Sequence, residues 1–278
     1  MAMIWNLSNM NKSLLVIALL FVASFQVKAQ NSYQLIKSFP VKGSVLSSDE
    51  LKNSYVVNNE NNIIKLDSLG GLLAIYSENQ YGQVTNIDAT NPFTILTHFK
   101  DFNSAIALDI NMNAKRLYKF SSLGLNDVAA ICTSYDNKLW LFDEAEQKLK
   151  KMDDQYEITH ESADVTQLIG GAISPNFMVE RNQMVFINDP EKGIFVFDIY
   201  GTYFRTFLIE GLEDFQIIGQ KIVCFKENKL YAFDMRSQSD DIIKLPADVN
   251  NIKDLRVTRN YLMLLTDTNI HIYKVSAE

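Results

Sequence analysis

The sequence predicts an all-β fold assembled from a repeated hairpin, on three observations. First, six segments carry one phrase: an apolar run, a short polar turn, a second apolar run, then usually Asp. They are Tyr55–Asp67, Phe93–Asp109, Ala129–Asp143, Gln183–Asp198, Gln220–Asp234 and Tyr261–Lys274. Second, Val, Ile, Phe, Tyr and Trp dominate the runs, and their apolar positions partly alternate, as in KLWLFD and GIFVFD. That favours strands over helices. Third, the closing residues fall at 67, 109, 143, 198, 234 and 274, in steps of 42, 34, 55, 36 and 40. A hairpin recurring about every 40 residues is the period of a propeller blade. The prediction is therefore a six-bladed β-propeller of four-stranded antiparallel blades.

Each phrase supplies the two middle strands of a blade. The turns inside the phrases, among them NNENN, SYDNK and NDPEKG, are Asn, Asp, Gly and Pro clusters that tolerate tight reversals. A further run follows five of the phrases and reads as the outer strand: Leu72–Tyr76, Arg116–Phe120, Lys148–Met152, Tyr203–Leu208 and Ile242–Leu245. Inner strands precede the hairpins, for example Gln83–Asp88 and Phe215–Gly219. After the last hairpin only Val275–Glu278 remain. Leu35–Pro40 (LIKSFP) matches the outer run Ile242–Pro246 (IIKLP), so the N-terminal strand is predicted to complete the last blade. Such closure removes the exposed edges an open sheet would present.

The step of 55 residues is the outlier. Its surplus lies in Asp153–Gly171, expected to be a long loop between one outer strand and the next inner strand. Loops of that length in a compact domain are functional or disordered. Tyr156, His160 and Asp164 within it are the candidate partner-binding groups.

Ser13–Phe25 (SLLVIALLFVASF) is an apolar stretch of 13 residues preceded by Lys12. A membrane span needs roughly 20. Val27 and Ala29 suit the −3 and −1 positions of a signal-peptidase site, so residues 1–29 are expected to be a signal peptide cleaved before Gln30. Met10-Asn11-Lys12 is a typical signal start, which leaves Met1 and Met10 both open as the first residue. No Cys lies near the cleavage site to carry a lipid. The remainder, 30–278, is expected to be one propeller domain, exported to the periplasm, with no transmembrane anchor, monomeric by itself. Any association with the outer membrane would run through a partner.

Loss of Lys12 and Lys28 takes the formal net charge from −7 to −9. An acidic chain without a Lys/Arg cluster lacks the electrostatic footprint for nucleic acid and has little attraction for anionic lipid. No HExxH, CxxC, GxSxG or P-loop is present, so no catalytic residue is assigned and no cofactor is predicted. Cys132 and Cys224 occupy equivalent first-strand positions two blades apart in this reading, too far for a disulfide, and are expected as buried inert thiols. His98 and His271 fall inside predicted strands, and Trp140 in the core.

Two sets of acids recur. Asp67, Asp109, Asp143, Asp198 and Asp234 close the hairpins and lead into turns such as DSLGG and DIYGT, where their side chains would bond backbone N–H groups. Asp49, Asp88, Asp127, Asp164, Asp214 and Asp254 precede the inner strands and are the candidate channel-mouth acids. A ring of carboxylates is costly without a cation, so a divalent cation or a basic partner at the axis stands against ordinary solvated loop acids.

Tyr81–Asp109, with its IDATNP segment, and Ser134–Met152 and Glu191–Gly201 resemble an uncharacterised family of exported β-propellers of Bacteroidota-type bacteria. More loosely, the blades resemble NHL and lactonase-like six-bladed propellers, although no lactonase metal-binding motif aligns. Asp67-Ser68-Leu69 is similar to the short O-glycosylation acceptor motif of such envelopes. The resemblance implies a propeller and no specific activity. The functional expectation is a non-catalytic interaction or scaffold module of the cell envelope, binding another envelope protein through one face. The alternatives are a metal-assisted hydrolase of the lactonase type, using the channel-mouth carboxylates, and a small-ligand or glycan binder.

Overall fold

The computed structural model describes residues 31–277, and Tyr33–Val275 forms one compact unit. The predicted signal peptide and its cleavage site lie outside the described residues. The strands are β1 (Asn31–Pro40), then β2 (Gly43–Ser48), β3 (Ser54–Asn58), β4 (Asn62–Leu66) and β5 (Leu72–Ser77) in blade 1. Blade 2 holds β6 (Asn86–Asn91), β7 (Thr94–Phe99), β8 (Ser104–Leu108) and β9 (Ala114–Lys119). Blade 3 holds β10 (Val128–Thr133), β11 (Leu139–Asp143), β12 (Lys148–Met152) and β13 (Ile158–Glu161), followed by the short helix α1 (Val165–Ile169). Blade 4 holds β14 (Phe177–Arg181), β15 (Met184–Asp189), β16 (Gly193–Asp198) and β17 (Tyr203–Phe207). Blade 5 holds β18 (Gln216–Ile218), β19 (Lys221–Lys226), β20 (Lys229–Asp234) and β21 (Ser239–Ile243). Blade 6 holds β22 (Ile252–Val257), β23 (Tyr261–Thr266) and β24 (Asn269–Ala277), and β1 is its fourth strand, hydrogen-bonded to β24. Six four-stranded sheets thus make the six-bladed all-β propeller. No helix among the described residues is long and apolar enough to cross a membrane.

The apolar core is not central but divided into six seams, one between each pair of neighbouring blades. Alternation along a strand sends successive side chains to opposite seams. In β15 and β16, Val185, Ile187, Phe195 and Phe197 pack with Trp140 and Phe142 of blade 3. Phe186, Ile194 and Val196 pack with Ile222 and Cys224 of blade 5. Both faces of the sheet are therefore buried, which explains why GIFVFD reads as a nearly continuous apolar run. The last seam joins Met263, Leu265, Ile270 and Ile272 of blade 6 to Leu46, Val56, Ile64 and Leu66 of blade 1.

Blade 3 corrects the sequence frame. The phrase Ala129–Asp143 is not its middle pair: β10 is the inner strand, and Lys148–Met152, expected as the outer strand, is the third. The expected loop Asp153–Gly171 contains the true outer strand β13 and then α1, capped by Asp164, whose Oδ1 accepts from Thr166 N at 2.8 Å. The step of 55 residues is thus a slip of one strand in the reading and not an insertion. Asp153 takes the place expected for Asp143. Asp67, Asp109, Asp153 and Asp198 close four matching turns, each accepting from the N–H groups two and four residues on through one carboxylate oxygen. The third residue after each Asp is left-handed: Gly70, Met112, Tyr156 and Gly201, with φ of 75°, 66°, 66° and 85°. Asp234 bonds Arg236 N and Ser237 N in a tighter variant. Asp143 instead lies inside a hairpin, paired with Lys150 at 2.9 Å.

Closure is built from several contacts at once. Val41 N donates to Thr268 O at 3.0 Å. Asn269 Nδ2 donates to Ser38 Oγ at 2.9 Å, and Ile36 and Phe39 pack on the last seam. Deletion of residues 31–40 removes one strand and bares the edge of β24. The expected outcome is a melting temperature lowered by about 8 °C or more, on the scale of a few kcal/mol, with concentration-dependent aggregation. A truncated protein that stays monomeric and melts with the full chain would contradict closure by β1.

Candidate functional site

Strand direction assigns every turn to one of two faces. The upper face carries turns between first and second strands and between third and fourth strands. The lower face carries turns between second and third strands and the crossovers to the next blade. The six inner strands, β2, β6, β10, β14, β18 and β22, surround the axial channel.

Their polar side chains tie neighbouring blades together. Asp254 Oδ2 accepts from Leu46 N at 3.0 Å, joining blade 6 to blade 1. Asp88 Oδ2 accepts from Thr133 N at 2.6 Å, joining blade 2 to blade 3. Glu180 of blade 4 is buried and accepts from Ser134 Oγ at 2.8 Å, Tyr135 N at 3.0 Å and Trp140 Nε1 at 2.7 Å in blade 3. Gln216 of blade 5 brackets Val257 of blade 6, accepting from its N–H at 2.7 Å and donating to its carbonyl at 3.1 Å. Arg256 of blade 6 pairs with Asp214 and, at 2.6 Å, with Asp254. Burial opposes the Arg256 charge, but the two carboxylates outweigh it and raise its pKa. Burial pushes Asp254 up to about 7 against the opposing pull of Arg256.

The second set of acids is dispersed. Asp49 follows β2 on the upper face and is buried, accepting from Asn53 N at 2.8 Å, Asn53 Nδ2 at 2.7 Å and Tyr55 OH at 2.9 Å. Burial, then Asp49, hold the Tyr55 phenol far above its ordinary pKa. Asp127 is exposed just before β10, and Asp164 caps α1. Only Asp88, Asp214 and Asp254 line the channel, and each is engaged by an inter-blade bond. The six do not form one ring, and no group of three His, Cys, Asp or Glu side chains is placed as a metal-ligand set among the described residues.

The residues expected in one loop also separate. Tyr156 sits in the β12–β13 turn on the upper face, edge-on to Tyr118 and beneath Arg116. His160 lies within β13, its ring against Trp140 and Tyr200. Asp164 follows β13 on the lower face. Cys132 and Cys224 are free and buried, but they occupy the first strand of blade 3 and the second of blade 5, so their positions are not equivalent. Burial raises Cys132 well above the usual thiol range and Cys224 to about 11, which keeps both protonated.

Two openings remain. On the upper face, the first turns of blades 1 to 4 surround a depression of about 440 Å³. Leu51, Phe93 and Tyr135 stand at it with 52%, 62% and 67% exposure, beside Arg181. None of these was singled out from the sequence. The available signal was an apolar side chain placed inside a polar turn, as in DATNPF and SYDNK. At the lower end, all six blades contribute to a cavity of about 450 Å³. Between the two lies a constriction of about 80 Å³ that includes Arg256 and Gln216.

No protein-family model matches the chain, and no curated protein sequence matches it. Solved structures do. The streptogramin B lyase structure aligns with a TM-score of 0.61 at 11% identity, covering 88% of this chain and 98% of that one. The WD40 domain of Neurospora crassa Pan2 aligns at 0.64 with 8% identity, covering 91% and 98%. BamB from Moraxella catarrhalis aligns at 0.52 with 9% identity, covering 87% and 98%. At these identities the likeness is one of fold.

Two stability outcomes follow from the channel wall. Glu180→Ala strands the donors of Trp140, Ser134 and Tyr135 and is expected to cost about 3 kcal/mol. Glu180→Gln keeps an acceptor and should cost about half as much; urea unfolding of the two variants checks this. His98 is fully buried and held neutral, its pKa pushed down by burial to about 3. The unfolded chain takes up that proton below about 6.5, so stability falls as pH drops from about 6.5 towards 3, by at most about 1.4 kcal/mol per pH unit from this group. His98→Leu should flatten that slope, and an unchanged slope would assign the acid sensitivity elsewhere.

Proposed function

We propose that this protein is a non-catalytic interaction module of the bacterial cell envelope and that it binds a protein partner through the upper face of the propeller. The observation that carries the reading is the cluster of Leu51, Phe93 and Tyr135, half to two-thirds exposed around one depression with Arg181 at its edge. Aromatic side chains and Arg are the residue types that dominate binding energy at protein interfaces. The turns that present them are short and mounted on a closed ring, so little ordering cost accompanies binding. Tyr156, on the same face, extends the surface outward along blade 3. His160 and Asp164 do not belong to it.

The carboxylates of the channel wall bond backbone N–H groups or Arg256 and so join one blade to the next. The envelope location rests on the apolar N-terminal stretch and the expected cleavage before Gln30. The fold likeness to BamB and to a WD40 domain is compatible with an interaction role and does not name a partner.

Phe93→Asp combined with Tyr135→Asp places charge in the apolar patch. The double variant should keep the wild-type melting temperature within about 2 °C, because neither side chain is buried. It should lose the partner captured from envelope membranes by the wild-type protein, with affinity reduced by tenfold or more. Equal capture by the two proteins, or no specific capture by wild type, would overturn the reading.

A further inference from the structure

The upper face carries one charged group that the fold leaves unmatched. Arg181 ends β14, the inner strand of blade 4, and lines both the depression and the constriction beneath it. It is half-buried, and among the described residues its guanidinium has no ion pair and no hydrogen bond. Arg256, the other arginine that lines the constriction, is held by two carboxylates. A guanidinium partly withdrawn from water with its donors unused weakens the fold and makes no bond within it.

Rigid neighbours set its position. Arg181 pairs with Met184 across the two-residue turn of Asn182 and Gln183, whose φ values of 54° and 62° are those of a tight hairpin reversal. Asn182 Nδ2 donates to Gly219 O of blade 5 at 2.8 Å and ties that turn to the next blade. Alternation along β14 sends Met178 and Glu180 towards blade 3, so Arg181 leaves the strand on the other side, with Phe177 and Val179.

The charges around it limit what can bind. Glu180 also borders the depression, but it is buried and its oxygens are taken by donors of blade 3. Glu50 is exposed at the rim. In the constriction Asp88 accepts from Thr90 N at 2.8 Å and from Thr133 N at 2.6 Å. Within the depression two acids thus stand against Arg181, and the mouth is not a basic field that would draw in a polyanion. It offers one set of open donors, enough for a single carboxylate held by two parallel N–H bonds. The exposed side chains of Leu51, Phe93 and Tyr135 call for apolar groups beside that carboxylate.

We propose that the partner enters this depression with an extended segment that carries one Asp or Glu between apolar residues, its carboxylate bonded by Arg181 and its apolar side chains laid on Leu51, Phe93 and Tyr135. A second acid beside the first is disfavoured by Glu50 and Glu180. The proposal rests on the reading of the upper face as a protein-docking surface and adds what the partner must present there.

Selection of short random peptides displayed on phage against the intact exported chain tests it. Enriched peptides should carry a single Asp or Glu flanked by aromatic or aliphatic residues. A synthetic copy of the most enriched peptide, with both termini capped, should bind about tenfold or more weakly when its acid is changed to the amide, the loss of one charge-assisted pair. On Arg181→Gln the acid and amide peptides should bind within about twofold of each other, the coupling that a direct contact produces. Arg181→Gln should melt within about 2 °C of wild type, because no bond of the fold is lost; a fall well beyond that would make Arg181 structural and overturn the proposal. Enrichment of apolar peptides without an acid, or an acid whose removal matters equally on Arg181→Gln, would overturn the carboxylate pairing and leave the docking face standing. No enrichment, or equal binding of the peptides by the Phe93/Tyr135 double variant, would overturn both. Acetate or phosphate bound through Arg181 more tightly than about 1 mM would overturn the proposal in favour of a small-anion site.

Discussion

Everything in this protein depends on the burial of both faces of every blade by its neighbours. A four-stranded sheet of this sequence cannot be stable alone, because apolar side chains leave both of its faces. Val185 and Phe186 are adjacent in the chain, yet they belong to different seams. Each sheet therefore needs two partners, and a chain of such sheets has no comfortable end except a ring. The seam of blade 6 against blade 1 supplies that end, and β1 fixes the order of assembly. Blade 6 cannot be finished until both termini of the described chain are together. Contacts so distant in sequence carry a loop-closure cost during folding, which the late seams and the inter-blade bonds must offset together.

The same constraint decides what the channel can do. Inner strands converge on the axis, where side chains from different blades meet in limited space. Here most of that meeting is structural: a carboxylate or amide of one blade holds a backbone group of the next. Asp254 on Leu46, Asp88 on Thr133 and Gln216 on Val257 repeat this device with different chemistry. Asp88 is satisfied by backbone N–H groups away from the other two, while Asp214 and Asp254 share the guanidinium of Arg256 between them. Of these acids Asp254 is the one shifted upward, by burial first, with Arg256 pulling the other way.

The overall architecture was legible because the hairpin phrase recurs and because its turns use Asn, Asp and Gly. The closing of the ring by the N-terminal strand was legible from the likeness of LIKSFP to IIKLP. What misled was Asp143. Asp143 follows the apolar run LWLF, whereas Asp153 follows the lysine-rich KLKKM, and the turn after Asp153 lacks glycine and uses Tyr156 in the left-handed position. A signature that relies on Gly70 and Gly201 is weaker wherever Met112 or Tyr156 takes that place, so the frame slipped by one strand in blade 3. Recurrence of acids was likewise a poor guide to a site. Asp49 and Asp254 occupy similar places in the sequence pattern, but one ends an inner strand and the other lies within one. Glu180, buried on the channel side of blade 4, carries no local motif at all, because its three partners lie in another blade.

The two openings differ for a reason that also comes from the strand order. Upper-face turns follow the inner strands directly and stand around the axis, so an apolar residue in such a turn has no neighbour to cover it. Phe93 and Tyr135 are exposed on that account, and only a partner larger than the depression can cover both. Lower-face residues near the axis lie at the beginnings of the inner strands, where second-strand ends such as His98 and Phe225 reach in beneath the crossovers. That geometry encloses rather than presents, and it produces a buried imidazole where the upper end produces a bare phenol. The constriction around Arg256 keeps the two environments apart. Because its guanidinium is held by two carboxylates, a change at one end has no loose element through which to reach the other.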